Sequence, residues 1–497
     1  MIKFSFKNIM VIILSILFWV FVLKIIPAQF RELGGDSAQY IILAQNIVQG
    51  GGYRAVNYPQ GGFFYHYPPV FPWLLSGPIY FWGENIYLMH FLVVLLGYLS
   101  LFFIYRIFRE YTTGGKAFLG TAFLAANVLF ILYSTKHILS DVPYLFMSSV
   151  TLFFAVRYFK TEKALNSTGF FTLIALLLSY FTRYIGTTLF LGLIFLFIIN
   201  RGKGKKAVFI SAGFIIPFAL WQILGRILNP ESFAAYSKQF YLIDPYRPYL
   251  GTIFSHPGYL MLRFIEGVNY FYKTAGAVLF PFFARGKFLL YEVVFSIVLF
   301  GYWLKLRQDK TCVFSYYFIC YIFLIIIWPY REVDRFILPI LPFIYFYFLI
   351  GLDKIIFFLF KNASRPIFYV TVAAMLILNI LNLSSRDWTG KLPESARDFI
   401  AMHHWIKENT NKDAVLVSRK PTVSYFYTKH KSVVYLFTPD ADKIWQDFLK
   451  NNVRYIIADN FSKAAYYYLL PVINKYKDRL KLLHKEGGVC LFEVLKQ

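Results

Sequence analysis

Long apolar runs recur along most of this chain and limit strongly what it can fold into. Each is about 20 residues long, which matches the hydrocarbon thickness of a bilayer. Of the 497 residues, 58% are hydrophobic and only 15% are charged, whereas soluble domains carry about 25% charged residues. No aqueous core holds so many apolar side chains. The sequence therefore predicts a multi-pass α-helical membrane protein and excludes a disordered chain, a collagen, a coiled coil and an ordinary soluble enzyme.

Eleven of these runs are long enough to predict membrane-spanning helices, with thirteen as the upper limit of the count. They begin near Ile9, Ile86, Ala117, Val142, Gly169, Tyr184, Ala207, Phe288, Cys312, Phe336 and Pro366. The stretch 169–200 is long for one helix and short for two. Its middle, residues 179–186, reads Ser-Tyr-Phe-Thr-Arg-Tyr-Ile-Gly, which is typical of a polar hairpin between two short helices.

The basic residues predict an orientation in the membrane. The chain has 51 Lys and Arg against 26 Asp and Glu, a formal net charge of +25. Within the apolar part of the chain, basic residues form six short groups before and between the apolar runs, at residues 3–7, 106–116, 157–163, 201–206, 305–310 and 354–365. With eleven helices all six groups lie on one side, which the positive-inside rule assigns to the cytoplasm. We therefore expect a cytoplasmic N-terminus and a C-terminus outside. We expect no nucleic-acid partner, since none of the groups is a long basic run.

Three long segments are then expected on the outer side: residues 29–85, 228–287 and 388–497. The last of them predicts a small α/β domain, because short β-type runs alternate with helical periodicity. The β-type runs are residues 414–418, 432–437, 453–458 and 489–494, and the helical ones are residues 393–410 and 441–451. We predict a transmembrane domain over residues 1–387 and an extracytoplasmic α/β domain over residues 388–497.

The first outer segment opens with a carboxylate, Asp36, in the stretch Gly-Gly-Asp-Ser-Ala-Gln-Tyr. A carboxylate beside a membrane helix is costly unless it is solvated, paired or functional. Asp36 also stands where an amphipathic interfacial helix is expected to begin, and Asp is a preferred N-cap residue. Taken alone, this pattern favours a helix cap over a catalytic acid.

Five further outer residues are candidate functional groups. Asp141 stands in Ser-Asp-Val-Pro, which has the signature of a helix N-cap and is alternatively the place of a second acid. Arg183 lies in the predicted hairpin, and Arg331 and Arg335 flank Glu-Val-Asp at another outer end. His66 precedes Tyr-Pro-Pro and is equally well an ordinary surface histidine. These are the charges expected around a cleft that faces outward.

The order of these motifs resembles that in the GT-C membrane glycosyltransferases, and within them the branch of protein O-mannosyltransferases and lipid A aminoarabinose transferases. The similar stretches extend over nearly the whole chain, at residues 34–40, 67–75, 140–143, 182–186, 334–339, 405–410 and 453–459. These relatives usually have Asp-Glu at the first motif, whereas here Asp36 is followed by Ser37. A basic residue that some of them place before Pro-Pro is replaced by His66-Tyr67.

The resemblance implies an enzyme that moves a sugar from a polyprenyl-phosphate donor to a hydroxyl of an envelope glycolipid, glycan or protein, on the outer face of the cell (inner or plasma) membrane. Asp36 is then the base of an inverting displacement. Arg183 and Arg335 are the main ligands of the donor phosphate, with Arg331 and His66 as further ones. Asp141 is a second acid on the acceptor side. The implied enzyme needs no cofactor besides its lipid-linked donor, and a role for a divalent metal stays open.

A transporter or flippase of lipid-linked sugars is the alternative that many helices and sparse intramembrane charges allow. Such transporters are typically built from internal repeats with matched Gly- or Pro-broken helices, and the sequence shows neither. Large outer segments and charges gathered on one side favour the enzyme. The sequence also lacks a P-loop and a dinucleotide fingerprint, so nucleotide hydrolysis is not expected to supply energy.

The predicted orientation has a direct test with reporter fusions. A reporter that is active only in the cytoplasm is expected to work when fused after Gly202, because that position lies in a basic group. The same reporter fused after Gln497 is expected to be inactive, and a reporter active only outside the cytoplasm should give the reverse. Equal activity of the two fusions with either reporter would contradict the odd number of spans expected between Gly202 and the C-terminus.

Overall fold

The computed structural model describes residues 6–280, 288–330, 332–389, 391–459 and 463–495. Up to residue 384 the described chain is mainly helical, and a β-sheet follows. The helices of this first part are α1 (Phe6–Ile25), α2 (Gly35–Val48), α3 (Val70–Trp82), α4 (Ile86–Arg109), α5 (Gly114–Ala125), α6 (Val128–Thr135), α7 (Asp141–Lys160), α8 (Ser167–Thr182), α9 (Gly186–Ile199), α10 (Gly204–Leu228), α11 (Pro230–Tyr241), α12 (Gly258–Leu279), α13 (Phe288–Gln308), α14 (Val313–Ile327), α15 (Val333–Ile337), α16 (Leu341–Phe360) and α17 (Ser364–Ser384).

Several of these helices are long and apolar enough to cross a membrane. Within the described residues the length and composition of four segments qualify: Ile86–Arg109, Asp141–Lys160, Gly204–Leu228 and Asp334–Ser384. The pair α5 and α6, bent by 54° at its break, makes a fifth if it is one span. Four shorter apolar helices are Leu14–Ile25, Ser167–Thr182, Gly186–Ile199 and Val313–Ile327. The count of eleven spans and the orientation stay predictions.

Two predicted local features can be compared with the helices. Where the sequence predicts a polar hairpin, α8 ends at Thr182 and α9 begins at Gly186, so that Arg183 lies in the break. The residues after Asp36 form a helix as expected. However, every residue of α2 from Ser37 to Asn46 is buried, so this helix is enclosed by protein and not amphipathic at a surface.

Helices α13 and α16 approach closely because glycines face each other across their contact. An ideal Cβ on Gly301 would overlap the backbone oxygen of Tyr347, and one on Gly351 would overlap that of Ile297. Small residues permit such backbone approach between membrane helices. This contact fixes α16, which continues from the short helix α15 that carries Arg335.

The described C-terminal residues fold around a five-stranded sheet with the strand order β2-β1-β3-β5-β4. Strand β1 is parallel to β2 and β3, whereas β5 is antiparallel to β3 and β4. The strands are β1 (Val415–Val417), β2 (Ser432–Val433), β3 (Val453–Ala458), β4 (Leu480–Glu486) and β5 (Val489–Val494). The accompanying helices are α18 (Glu394–Asn409), α19 (Pro421–Thr428), α20 (Ala441–Lys450) and α21 (Leu470–Lys475). Strand β4 and helices α19 and α21 were not expected from the sequence. The domain boundary at residue 388 stays a prediction.

Helix α19 connects this C-terminal part to the first segment after α1. The Tyr427 hydroxyl donates to the backbone oxygen of Phe30 at 2.9 Å. The rings of Phe30 and Phe426 lie 4.4 Å apart between centroids, and Ser432 N–H donates to the backbone oxygen of Asn57 at 2.9 Å. These contacts hold α19 next to the start of α2.

The packing of α13 on α16 predicts a stability change. Gly301→Ala is expected to lower the melting temperature of the purified protein in detergent, because the added methyl group overlaps the backbone of α16. Overpacking of this kind costs about 1–3 kcal/mol. Gly77→Ala in α3 is the matched control, since a Cβ there meets no atom within 4 Å. Equal melting temperatures for the two variants would contradict the close approach.

Candidate active site

Two carboxylates that the sequence singles out lie at the N-termini of buried helices. Asp36 is in the first turn of α2, and Asp141 is the first residue of α7. Their N-cap residues are Gly34 and Ser140, and neither cap makes a side-chain hydrogen bond to its helix. The helix-cap interpretation is therefore wrong for both aspartates. The partial positive charge of a helix N-terminus still favours a carboxylate at these positions.

Arg335, in α15, brings the two carboxylates together. Its Nη1 donates to Asp36 Oδ2 at 2.8 Å, and its Nε donates to Asp141 Oδ2 at 2.9 Å. Nη1 also lies 3.5 Å from Oε2 of the exposed Glu332. Three parts of the chain that are far apart in sequence thus meet at one guanidinium group.

Arg183 completes the cluster from the break between α8 and α9. Its Nη1 donates to Asp141 Oδ1, so that Asp141 accepts hydrogen bonds from both arginines. The side chain of Asp141 is 1% exposed, and those of Arg183 and Arg335 are each 14% exposed. The Asp36 side chain is 37% exposed. Asp36 is therefore the aspartate of the cluster that a substrate can reach.

Tyr67 is a member of the cluster that the sequence analysis missed. Its hydroxyl donates a 2.6 Å hydrogen bond to Asp36 Oδ1, opposite the oxygen that Arg335 holds. Its ring packs against Tyr40 with 4.7 Å between centroids, and the Tyr40 hydroxyl lies 2.8 Å from Ser140 Oγ. The available signal was its place directly before Pro-Pro, because consecutive prolines fix the backbone.

Glu32 is a second missed residue, and it connects the starts of α2 and α7. Its buried carboxylate accepts hydrogen bonds from Ser37 Oγ at 2.5 Å and from Ile138 N–H at 2.9 Å. It also lies 2.8 Å from His137 Nδ1. Ser37 adjoins Asp36, and His137 and Ile138 shortly precede Asp141. Glu32 therefore fixes the spacing of the two aspartates.

The neighbours of Asp36 set its protonation state. Burial alone would raise the pKa of Asp36, but the charge of Arg335 and the hydrogen bonds from Tyr67 and Arg335 outweigh it, so the pKa lies below its ordinary value. Burial also lowers the pKa of His66, although the Asp36 charge opposes it. Asp36 is therefore ionised and His66 neutral at pH 7. The phosphate-binding role of His66 stays a prediction, and Arg331 lies outside the described residues.

The charged groups of the cluster pair with one another. In the part of the chain that the structure describes, Arg183 and Arg335 contact three carboxylates, those of Asp36, Asp141 and Glu332. No group of three or more His, Cys, Asp or Glu side chains within the same residues could hold a metal ion. The arrangement pairs an open carboxylate with two nearly buried guanidinium groups.

A family of known proteins matches the part of the chain that contributes much of this cluster. Residues 66–223 match the family model described as dolichyl-phosphate-mannose-protein mannosyltransferase. The matched range includes Tyr67, Asp141 and Arg183. Among curated proteins, none matches the chain.

Solved structures share the fold over nearly the whole chain. ArnT from Cupriavidus metallidurans bound to undecaprenyl phosphate is 13% identical, with 98% of both chains covered and a TM-score of 0.61. The oligosaccharyltransferase AglB from Archaeoglobus fulgidus, in complex with an inhibitory peptide and a dolichol-phosphate, is 12% identical, with 95% of this chain and 73% of AglB covered and a TM-score of 0.60. The arabinofuranosyltransferase AftD from Mycobacteria is 10% identical, with 97% of this chain and 40% of AftD covered and a TM-score of 0.51. The chain therefore shares the fold of these solved structures over nearly its whole length, and residues 66–223 are similar to the mannosyltransferase family model.

The buried position of Asp141 predicts a large loss of stability when its charge is removed. Asp141→Asn leaves two nearly buried guanidinium groups without their shared partner, and breaking such a pair costs about 3–5 kcal/mol. We expect a clearly lower melting temperature in detergent. Glu332→Gln is the matched control, because this carboxylate also approaches Arg335 but its side chain is 53% exposed. An unchanged melting temperature for Asp141→Asn would contradict the ion-pair arrangement.

Proposed function

We propose that this protein moves a sugar from a polyprenyl-phosphate donor to a hydroxyl group of an envelope glycolipid, glycan or protein on the extracytoplasmic face of the cell membrane. The observation that carries the proposal is the cluster itself, in which the open carboxylate of Asp36 adjoins Arg335, Asp141 and Arg183. A carboxylate can take the proton of an acceptor hydroxyl, and guanidinium groups can hold a phosphate. The likeness to ArnT with undecaprenyl phosphate and to AglB with a dolichol-phosphate supports this class of donor.

Both arginines have donors left for a phosphate. Among the described residues, Nη2 of Arg335 and both Nε and Nη2 of Arg183 make no hydrogen bond. Guanidinium groups bind phosphate through two parallel hydrogen bonds. Each arginine can therefore donate to Asp141 from one guanidinium nitrogen and to a phosphate oxygen from another.

Asp36 is the general base in this proposal. The acceptor oxygen attacks the anomeric carbon, Asp36 accepts the acceptor's proton, and the bond from the anomeric carbon to the phosphate oxygen breaks with inversion. The leaving phosphate is stable as an anion, so the reaction needs no general acid, and Arg183 and Arg335 stabilise its growing charge. When the phosphate attracts Arg335, the charge that holds down the pKa of Asp36 weakens, so Asp36 becomes a stronger base in the donor complex.

Asp141 and Tyr67 act as positioning residues. The acceptor-side role expected for Asp141 does not suit a side chain that is 1% exposed and enclosed by two arginines. We assign it instead to orienting Arg183 and Arg335. Tyr67 holds one oxygen of Asp36, which fixes the plane of the carboxylate toward the acceptor.

A lipid-linked donor suits a chain with this composition. The polyprenyl tail dissolves in the bilayer among the apolar helices, and the sugar phosphate stays at the membrane surface, where the cluster can receive it. In this proposal the outer segments and residues 388–497 face the acceptor. A membrane enzyme of this kind needs no site for a soluble nucleotide sugar.

The decisive variant for this function is Asp36→Asn. Asn has nearly the same size and can still accept the hydrogen bond from Tyr67, but it takes no proton from the acceptor. Transfer is expected to fall about 10²–10⁴-fold, the usual contribution of a general base. The measurement is the release of free polyprenyl phosphate from a labelled lipid-linked sugar by purified protein in detergent.

Glu332→Gln serves as the control for this assay. It makes the same chemical change on another carboxylate near Arg335, and its side chain is exposed, so transfer should stay within about twofold of wild type. Wild-type rates for Asp36→Asn would exclude Asp36 as the base. A large loss in both variants would show that the total charge around Arg335, and not a proton acceptor, is what matters.

A further inference from the structure

A lysine of the C-terminal part lies beside the cluster. Helix α19 begins directly against α2, since an ideal Cβ on Gly35 would lie 2.6 Å from Thr422 Oγ1. Lys420 is the N-cap residue of α19 and stands two residues before Thr422, while Asp36 directly follows Gly35. The side chains of Lys420 and Asp36 therefore start from turns that touch each other.

The Lys420 ammonium group makes no hydrogen bond or ion pair within the described residues. The hydrogen bonds of this residue come from its backbone, which donates to Ser418 Oγ at 3.2 Å and accepts from Ser424 N–H at 3.0 Å. The neighbouring Arg419 is engaged differently, with its guanidinium 5.1 Å from the centroid of the Phe437 ring. Lys420 is thus a half-buried cation whose ammonium group has no hydrogen-bond or ion-pair partner among the described residues.

The electrostatic surroundings of Lys420 include the cluster. Burial and the charge of Arg419 hold the pKa of Lys420 below its ordinary value, although the charges of Asp36, Glu332 and Asp459 oppose this shift. These carboxylates are near enough to act on the ammonium group, although none of them forms an ion pair with it. An anion brought in by a substrate would therefore find an ammonium group without a bound partner.

The reaction itself adds negative charge at this place. Among the described residues the cluster already sets three carboxylates against two guanidinium groups. A polyprenyl-phosphate sugar carries one negative charge, and its phosphate gains a second when the bond to the anomeric carbon breaks, since the second pKa of a phosphate monoester is about 6. The two arginines alone leave this additional charge uncompensated.

We propose that Lys420 contacts the leaving phosphate of the donor and is a catalytic residue supplied by the C-terminal part of the chain. This inference rests on the proposed function. An interaction that strengthens as the phosphate gains charge stabilises the transition state more than the ground state. The C-terminal part then completes the phosphate site, in addition to facing the acceptor.

Two probes with the same lipid tail test this contact without requiring turnover. Polyprenyl phosphate and the uncharged polyprenol are titrated against the purified full-length protein in detergent. Lys420→Met is expected to bind polyprenyl phosphate about tenfold or more weakly than wild type and to bind polyprenol equally well. Lys420→Arg should restore most of the affinity. Lys431→Met, which removes an exposed lysine from the same part of the chain, should behave like wild type.

The outcomes separate this inference from the function on which it rests. Equal affinity of Lys420→Met and wild type for polyprenyl phosphate would overturn the contact between Lys420 and the phosphate. This holds even if a separate transfer assay shows a higher KM of the variant for the acceptor. A wild-type protein that does not prefer polyprenyl phosphate to polyprenol would contradict the proposed function instead. Melting temperatures control for folding, and Lys420→Gln replaces Lys420→Met should the latter not fold.

Discussion

The hydrogen bonds from Arg335 to Asp36 and Asp141 are the interaction on which the centre of this structure depends. They join the first turns of α2 and α7 to the short helix before α16. Moving such charges out of water is costly, and only close, well-oriented partners compensate for it. Asp141 meets this condition by accepting from Arg183 as well. Burying these charges lowers the stability of the fold unless they are well paired. We connect the cluster with function because a substrate that binds the same charges would explain why they are kept there.

The main charges of the site could be predicted from the sequence. Asp36, Asp141, Arg183 and Arg335 stand next to apolar runs where ionisable residues are rare and costly, and the structure brings all four together. Their geometry could not be predicted. Both aspartates looked like helix caps, but the N-cap residues are Gly34 and Ser140, and the carboxylates are bound by arginines that lie far away in the sequence.

Other parts escaped prediction for physical reasons. Tyr67 and Lys420 are ordinary residues of segments outside the long apolar runs, and only tertiary packing gives them their neighbours. Helix α19 has eight residues, too few for a clear periodicity. Strand β4 contains Lys481 and Lys485 and, among the described residues, pairs with β5 alone. The apolar helices and the break at Arg183 were easier to predict, because the length of an apolar run and its interruption by polar residues are local features of the sequence.

The most direct test of lipid-linked sugar transfer uses the wild-type protein in sealed vesicles that contain a polyprenyl-phosphate sugar labelled in the sugar, together with a membrane fraction as the source of acceptor. We predict cleavage that depends on the acceptor, with one polyprenyl phosphate released for each sugar transferred and with an inverted anomeric centre in the product. Donor that moves between the two leaflets while remaining intact would contradict transfer and would indicate a transporter of lipid-linked sugars.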